Sequence, residues 1–363
     1  MLRILLIALV FLLAVPAGSA AADRRVPQGW LGVTADGPLA PTHAAEWQRM
    51  AGAGVETVRA SIRWSVLQPQ PGAFDFSQSD AVVAAAAARR LPVLPVVQHA
   101  PPWAAVRPGD PASPPKDPAA VEALFVALVG RYGPSGSFWA ARPDLPRLPI
   151  RAWQVFNEPN HGGFWSEQPF AASYVRTLRG AATGIRRADP GATVVLAGLT
   201  NTSWIALEQL YDAGARGLFD VVALHPYTAR PVDVLRLVRL SRREMRERGD
   251  RALPVWITEL SWPAAQGRVP STLKFDVDDR DQAVLLGRAL HLLAAARQRM
   301  RIERVFWYTW LSSERGPSEF DWAGLRRIRN GRRVAAPALR KFRKVARKLE
   351  GCRKAPGNAA RCA

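Results

Sequence analysis

The chain has 363 residues, with 50 Lys and Arg against 30 Asp and Glu, so its formal net charge is +20. This length allows one large α/β barrel or two ordinary domains, and without a Gly/Ser-rich linker or a short repeat one domain is favoured. The only cysteines, Cys352 and Cys362, lie after the last histidine, His291, which excludes a metal site built on them.

The first 22 residues have the pattern of a secretory signal peptide. Arg3 gives a positive start, residues 4–15 are apolar, and small residues follow at 16–20. This run is short for a bilayer span, so we expect a cleaved signal rather than an uncleaved membrane anchor, and no membrane span after it. The expected domains are 1–22 (signal), 23–350 (catalytic) and a short tail, 351–363. In an exported protein Cys352 and Cys362 are expected to form a disulfide loop in that tail.

Eight runs with the composition of β-strands follow in order, each leading to a helical pattern or to a loop before one. The runs are 30–34, 55–61, 92–98, the apolar start of 151–160, 193–197, 220–224, 254–258 and 304–309. The predicted helices are 41–52, 80–90, 119–131, 169–188, 232–248, 280–299 and 337–349.

Apolar strands that alternate with amphipathic helices indicate a parallel sheet covered by helices. Eight such units in this length predict a single (β/α)₈ TIM barrel, ending in a basic C-terminal helix and the short tail. A doubly wound sheet would normally use fewer strands, and no G-x-G-x-x-G follows the first one. Functional side chains are therefore sought at the carboxyl ends of the strands.

Two glutamates stand at such ends. Glu158 ends the fourth run, where Pro159 cannot continue a sheet ladder and is expected to hold Glu158 extended. Glu259 ends the seventh run. A barrel brings both to one mouth, where one carboxyl can protonate a leaving oxygen while the other attacks an anomeric carbon, as glycoside hydrolysis with retention requires at about 5–5.5 Å separation. Aromatic residues at the other strand ends suit the apolar faces of sugar rings.

The segments 156–160 (Phe-Asn-Glu-Pro-Asn) and 257–262 (Ile-Thr-Glu-Leu-Ser-Trp) resemble the acid/base and nucleophile segments of the clan A glycoside hydrolases. These are retaining enzymes on a (β/α)₈ barrel, and the sequence looks closest to their families 39 and 5. The resemblance implies a general acid/base at Glu158 and a nucleophile at Glu259. No cofactor and no metal are expected. The resemblance further implies that Asn157 binds the sugar 2-hydroxyl, that Arg59 supports the nucleophile, that His225 and Tyr227 orient it, and that Trp310 floors the subsite where cleavage occurs. His99, Trp103, Trp165 and Trp262 are additional candidate sugar contacts, although each tryptophan is equally suited to packing.

Two other readings of the mouth remain open. A non-catalytic barrel that binds carbohydrate or the cell wall would keep the aromatic residues without turnover. A metal-dependent barrel hydrolase is disfavoured, because the first strand has no His-x-His and the five histidines do not gather at strand ends.

The positive charge is concentrated at the C-terminal end. From Trp322 onward there are fourteen basic residues against one acid, Glu350, which makes about +13 of the total. This end is predicted either to contact an anionic cell-wall polymer or exopolysaccharide, or to be the solvated face of a terminal helix. No base-reading motif accompanies it, so nucleic acid is not an expected partner. The expected location is outside the cell, secreted or wall-associated, with an oligo- or polysaccharide as substrate.

Overall fold

The computed structural model of the protein describes residues 24–35 and 43–351. The predicted signal peptide, Cys352 and Cys362 lie outside the described residues. The nine strands of the main sheet are β1 (Leu31–Thr34), β2 (Thr57–Arg63), β3 (Val93–Gln98), β4 (Ala152–Val155), β5 (Thr193–Val195), β6 (Leu199–Thr200), β7 (Val222–His225), β8 (Val255–Ile257) and β9 (Ile302–Trp307).

The sheet is parallel, with the strand order β5-β4-β3-β2-β1-β9-β8-β7-β6. Strand β5 lies within the fifth predicted strand, and β6 is an additional short strand just beyond its predicted end at residue 197. Isolated bridges pair Val195 with Val221 and Asn157 with Gly198, so the two ends of the sheet meet and the sheet curls into a barrel. The predicted (β/α)₈ fold is confirmed.

Ten helices surround the sheet within the described ranges. They are α1 (Ala44–Gly52), α2 (Trp64–Leu67), α3 (Ser77–Ala87), α4 (Pro118–Tyr132), α5 (Ser137–Ala141), α6 (Ala171–Ala188), α7 (Ser203–Asp212), α8 (Pro231–Glu247), α9 (Asp279–Met300) and α10 (Pro337–Glu350). Helices α4 and α6 pack so closely at Gly184 that a Cβ there would lie 2.4 Å from the Glu122 carbonyl oxygen, so this contact requires a glycine. None of these helices is both long and apolar enough to cross a membrane.

The predicted strands and helices correspond to observed ones, but several elements are additional. Helix α7 was not predicted. Neither was a small sheet of β10 (Leu311–Ser313), β11 (Arg326–Arg329) and β12 (Arg332–Ala335), which follows the last barrel strand. Its hairpin turns at Asn330 and Gly331, both with positive φ (49° and 74°), as a type I′ turn requires. The Asn-Gly pair was the sequence signal for it.

Two of the fourteen C-terminal basic residues, both in this small sheet, serve neither of the two predicted roles. Arg326 and Arg327 are buried. The Nε of Arg326 lies 2.7 Å from a Glu46 oxygen, and Arg327 donates to Asp279 (2.6 Å) and Gln282 (2.8 Å). These two guanidinium groups tie the added sheet to helices α1 and α9.

Candidate active site

A pocket of about 530 Å³ opens at the carboxyl ends of the barrel strands. Its lining includes the polar side chains of Arg63, Gln98 and Asn201 and the aromatic rings of Phe275 and Phe320. Five of the residues predicted from the sequence also line it: Arg59, Asn157, Glu158, Tyr227 and Glu259. The structure therefore brings both predicted carboxylates and three of their predicted partners into one cavity.

The two carboxylates lie close together at the base of this pocket. Each glutamate is 7% exposed, and a carboxylate oxygen of Glu158 lies within 4.8 Å of one of Glu259. Retaining glycosidases need about 5–5.5 Å between the carboxyl groups, whereas inverting enzymes need about 6.5–9.5 Å to admit a water. The spacing fits a direct attack by one carboxylate on the substrate.

Glu259 lies in surroundings that keep it ionised. Its Oε1 accepts from Nη1 of Arg59, and its Oε2 accepts from the Tyr227 hydroxyl, both at 2.7 Å. Burial by itself raises the pKa of this carboxyl, but His225, Arg59 and the Tyr227 hydrogen bond together outweigh burial and hold the pKa below its usual value. Burial and the negative charge of Glu259 raise the pKa of Tyr227 well above its usual value, so Tyr227 stays a neutral donor.

Arg59 connects Glu259 to strand β4 and to Asn157 just beyond the end of that strand. Its Nη2 donates to Oδ1 of Asn157 and its Nε donates to Oε1 of Gln154, both at 2.7 Å. The guanidinium is 1% exposed, so all three hydrogen bonds lie in a medium where charge-assisted bonds are strong. Because Asn157 accepts through its oxygen, its NH₂ group is the part left to donate to a sugar hydroxyl.

Glu158 has a different set of partners. Its Oε1 shares a hydrogen bond of 2.5 Å with Nδ1 of His225, and Nε2 of His225 lies 2.9 Å from Oγ1 of Thr258. Gln154 also donates to Thr258, at 3.3 Å. A continuous buried chain of hydrogen bonds therefore joins Arg59, through Gln154, Thr258 and His225, to Glu158.

The backbone around Glu158 differs from the prediction. Strand β4 ends at Val155, and Glu158 has a φ of +44° rather than the extended conformation expected before Pro159. The His161 amide donates to the Glu158 carbonyl oxygen at 2.9 Å, so the chain turns here. Positive φ costs a non-glycine residue on the order of 1 kcal/mol and is concentrated at functional sites.

His225 fits beside Glu158 only because residue 198 is a glycine. A Cβ on Gly198 would lie 1.9 Å from Nε2 of His225. Gly198 is in the segment between β5 and β6, which follows the barrel wall without a side chain at this point. The absence of a side chain at Gly198, between β5 and β6, thus makes room for the His225 imidazole.

Three of the predicted sugar-contacting tryptophans are in the core instead. Trp310, Trp165 and Trp262 are at most 1% exposed and do not line the pocket. Trp310 donates to Glu46 at 3.0 Å and Trp165 donates to Ser173 at 2.9 Å, so both indole nitrogens are satisfied inside the protein. The predicted role of Trp310 as the floor of the subsite is wrong.

Tyr308 lines the pocket where Trp310 was expected to do so. Its ring meets Phe320 edge to face at 5.6 Å, and Tyr227 stacks on Phe275 at 5.5 Å. Phe275 and Phe320 come from the segments after β8 and β10 and had not been predicted. This aromatic wall offers apolar faces for sugar rings.

His99 and Trp103 also lie outside the main pocket. His99 lines an adjoining cavity of about 440 Å³, and its Nδ1 lies 3.2 Å from the Pro111 carbonyl oxygen. Trp103 donates to the Gln68 carbonyl oxygen at 3.0 Å and packs against Trp64. His99 therefore does not join the carboxylate cluster.

The cluster of Glu158, His225 and Glu259 has the residue types of a metal site, with one ligand atom of each within 4.8 Å of the others. Both oxygens of Glu259, however, already accept from Arg59 and Tyr227. A guanidinium 2.7 Å from the carboxylate competes with a divalent cation for the same charge. The donor set fits a carboxylate chemistry better than a metal.

Comparisons with known proteins relate the chain to glycosidases through structure. No family model and no curated protein matches the sequence. A family 39 glycoside hydrolase from Bacteroides cellulosilyticus WH2 matches with a TM-score of 0.64 and 20% identity, over 89% of this chain and 64% of that one. A monomeric β-xylosidase from Caulobacter crescentus CB15 matches with 0.64 and 18%, over 89% and 69%. An exo-β-1,4-mannosidase from Opitutaceae bacterium strain TAV5 matches with 0.60 and 18%, over 91% and 62%.

The chain has the fold of these glycosidases. The predicted resemblance is confirmed at that level, since likeness at such low identity shows a shared fold. The present chain spans only 64% of the length of the first of these structures.

Replacing Tyr227 by phenylalanine tests the surroundings of Glu259. The hydrogen bond from Tyr227 lowers the pKa of Glu259, so its loss raises that pKa and fewer molecules are ionised at low pH. We expect kcat/KM for an aryl β-glycoside to fall about tenfold or more, as a hydrogen bond to a charged group predicts, and its acidic limb to move to higher pH. The measurement is a pH–rate profile.

The matched control is Tyr211→Phe. The Tyr211 hydroxyl donates to Asp250 at 2.9 Å, and neither residue lines the pocket. This variant should keep the acidic limb of the parent protein. An acidic limb that does not move in Tyr227→Phe would contradict the assigned surroundings of Glu259.

Proposed function

We propose that the protein is a secreted retaining β-glycosidase that hydrolyses O-glycosidic bonds by double displacement. The observation that carries the proposal is the spacing of Glu158 and Glu259, within 4.8 Å, together with their unlike hydrogen-bond partners. Solved structures with this fold include a β-xylosidase and an exo-β-1,4-mannosidase, which supports a glycan substrate. The proposed chemistry uses no cofactor.

In the first step, Glu259 attacks the anomeric carbon. The bond between that carbon and the leaving oxygen breaks, and Glu158 gives its proton to this oxygen. Arg59 and Tyr227 hold the Glu259 carboxylate in position and ionised for the attack. The product of this step is a glycosyl ester on Glu259.

In the second step, Glu158 acts as a base. It takes a proton from water, the water oxygen bonds to the anomeric carbon, and the ester bond to Glu259 breaks. The His225–Thr258–Gln154 chain fixes the orientation of Glu158 through both steps. The NH₂ group of Asn157 is placed to bind the sugar 2-hydroxyl, where such contacts strengthen in the transition state.

A panel of aryl β-glycosides and polysaccharides tests this function. The proposal predicts turnover of at least one β-glycoside, and loss of that turnover in both Glu158→Gln and Glu259→Gln. If the purified protein bound glycans or cell wall with no turnover on any member of the panel, a non-catalytic binding barrel would replace the proposal.

A further inference from the structure

Arg63 lies between two cavities in the mouth of the barrel. It is the last residue of β2, where Arg59, Ser61 and Arg63 share one face of the strand. All three line the main pocket, and Arg63 also lines the adjoining cavity together with Asp110 and His99. The two cavities meet at this side chain, and we call the 440 Å³ cavity the outer cleft.

The guanidinium of Arg63 has no ion-pair partner among the described residues. Arg59 is paired with Glu259, and Glu158 is hydrogen-bonded to His225. By contrast, no carboxylate in residues 24–35 or 43–351 comes within 4.0 Å of the Arg63 guanidinium, and it makes no hydrogen bond there.

Asp110 is the acid of the outer cleft, and other groups already hold it. Its Oδ2 lies 3.4 Å from Nε of Arg107, and its Oδ1 accepts from the Ala112 amide at 2.9 Å. The nearby Ser166 hydroxyl, the Ala112 amide and Arg107 together hold the pKa of Asp110 below its usual value. Asp110 thus leaves the guanidinium available to a ligand.

The backbone that carries Arg63 is held rigidly. Its neighbours Ile62 and Trp64 are buried, and Trp64 donates to Gln68 at 2.8 Å. The Ser65 amide donates to the His99 carbonyl oxygen at 2.9 Å. The Arg63 side chain itself is exposed and caps no helix, so it contributes little to folding.

Arg63 is placed to contact a different part of the substrate from the part near Arg59. Four strand residues separate their Cα atoms by about 13 Å, at about 3.3 Å per residue. Arg59 lies against Glu259 at the reacting ring, and Arg63 lies further out, where a neighbouring unit of the glycan would pass. The net charge of +20 adds a field that draws anionic polymers toward the protein.

We propose that the outer cleft is a subsite for a glycan unit that carries an anionic substituent, held by the guanidinium of Arg63. A planar guanidinium binds a carboxylate in a bidentate manner, and it binds sulfate by the same charge-assisted hydrogen bonds. The proposal deepens the proposed function, on which it rests, by assigning an acidic polysaccharide as the class of substrate.

Binding to the Glu158→Gln variant tests the subsite without turnover. The ligands are three oligosaccharides of the same backbone: neutral, with one uronic acid unit, and with one sulfated unit. Calorimetry at low salt should show at least tenfold tighter binding of an anionic form than of the neutral form. Adding Arg63→Gln should bring the ratio close to one. The matched control, Arg239→Gln on the exposed face of α8, should leave the ratio unchanged.

The three ligands distinguish a carboxylate from a sulfate as the bound group, and the outcomes distinguish the subsite proposal from the glycosidase proposal. Tighter binding of either anionic form that is lost in Arg63→Gln supports the subsite, and a gain for the uronate alone indicates bidentate carboxylate binding. Equal affinities for all three ligands, no measurable binding of the anionic forms, or a preference that survives Arg63→Gln would overturn it. A confirmed preference with no hydrolysis by the unmutated protein would instead contradict the glycosidase assignment.

Discussion

Replacing Glu259 by glutamine is expected to lower the rate of glycoside hydrolysis by about 10⁴-fold or more. The amide cannot form the glycosyl ester, so the double displacement loses the nucleophile for its first step. Glutamine keeps the size of the side chain and can still accept one hydrogen bond from Arg59, so the fold should survive. The measurement is kcat/KM for the best aryl β-glycoside of the panel, together with the melting temperature.

The matched control for Glu259→Gln is Glu208→Gln, an exposed carboxylate on α7 that does not line the pocket. It should keep the activity of the parent protein. Activity within tenfold of the parent in Glu259→Gln, with the melting temperature unchanged, would show that Glu259 is not the nucleophile.

Replacing Glu158 by alanine is expected to give an effect that depends on the leaving group. Loss of a general acid costs about 10²–10⁴-fold when the departing oxygen needs a proton. A dinitrophenolate leaves without protonation, so formation of the glycosyl ester on Glu259 should continue and hydrolysis should stall at the second step. Burst kinetics on a dinitrophenyl glycoside and slow turnover on an alkyl glycoside should distinguish the two steps.

Adding azide to Glu158→Ala tests whether Glu158 is the acid/base. Azide needs no base to attack the ester and fits into the space that the carboxyl group leaves, so it should restore turnover of the dinitrophenyl glycoside and yield a β-glycosyl azide. Glu259→Ala should not give this β-azide, because it forms no glycosyl ester. No rescue of Glu158→Ala by azide, or an α-azide from it, would contradict the assignment of Glu158 as the acid/base.

The strand ends were the predictable part of the site. Apolar runs that stop at polar residues locate the carboxyl ends of β4 and β8, and barrel geometry then brings Glu158 and Glu259 together. Arg59 was predictable for a different reason, as a charged residue within a barrel strand, where a buried charge needs a partner. The structure places it against both Glu259 and Asn157.

Gln154 and Thr258 could have been recognised in part. Both are polar residues inside or next to apolar strands, and both are fully buried. A buried polar group requires hydrogen-bond partners, which was the available signal. Which partners they find depends on the sizes and orientations of several side chains at once, and the chain from Arg59 to His225 therefore emerged only from the structure.

The aromatic wall and the tryptophans could not be assigned from the sequence. Strand periodicity does not extend into the segments beyond strand ends, so nothing determined whether Trp310 or Tyr308 would point into the pocket. Phe275 lies in the segment after β8, where the Thr272 amide donates to Glu319, and Phe320 lies in a short 3-10 helix between β10 and β11. Trp310, just before β10, and Arg326, the first residue of β11, both contact Glu46 in the core.

The anomeric configuration of the first product tests the retaining mechanism most directly. One carboxylate oxygen of Glu158 lies within 4.8 Å of one of Glu259, a spacing closer to that of retaining enzymes than to the wider separation that admits a water in inverting ones, so two successive inversions are expected. Proton NMR during the first minutes of hydrolysis of a β-glycoside should show the β-anomer of the sugar appearing first, followed by slow mutarotation. Initial release of the α-anomer would contradict the double displacement.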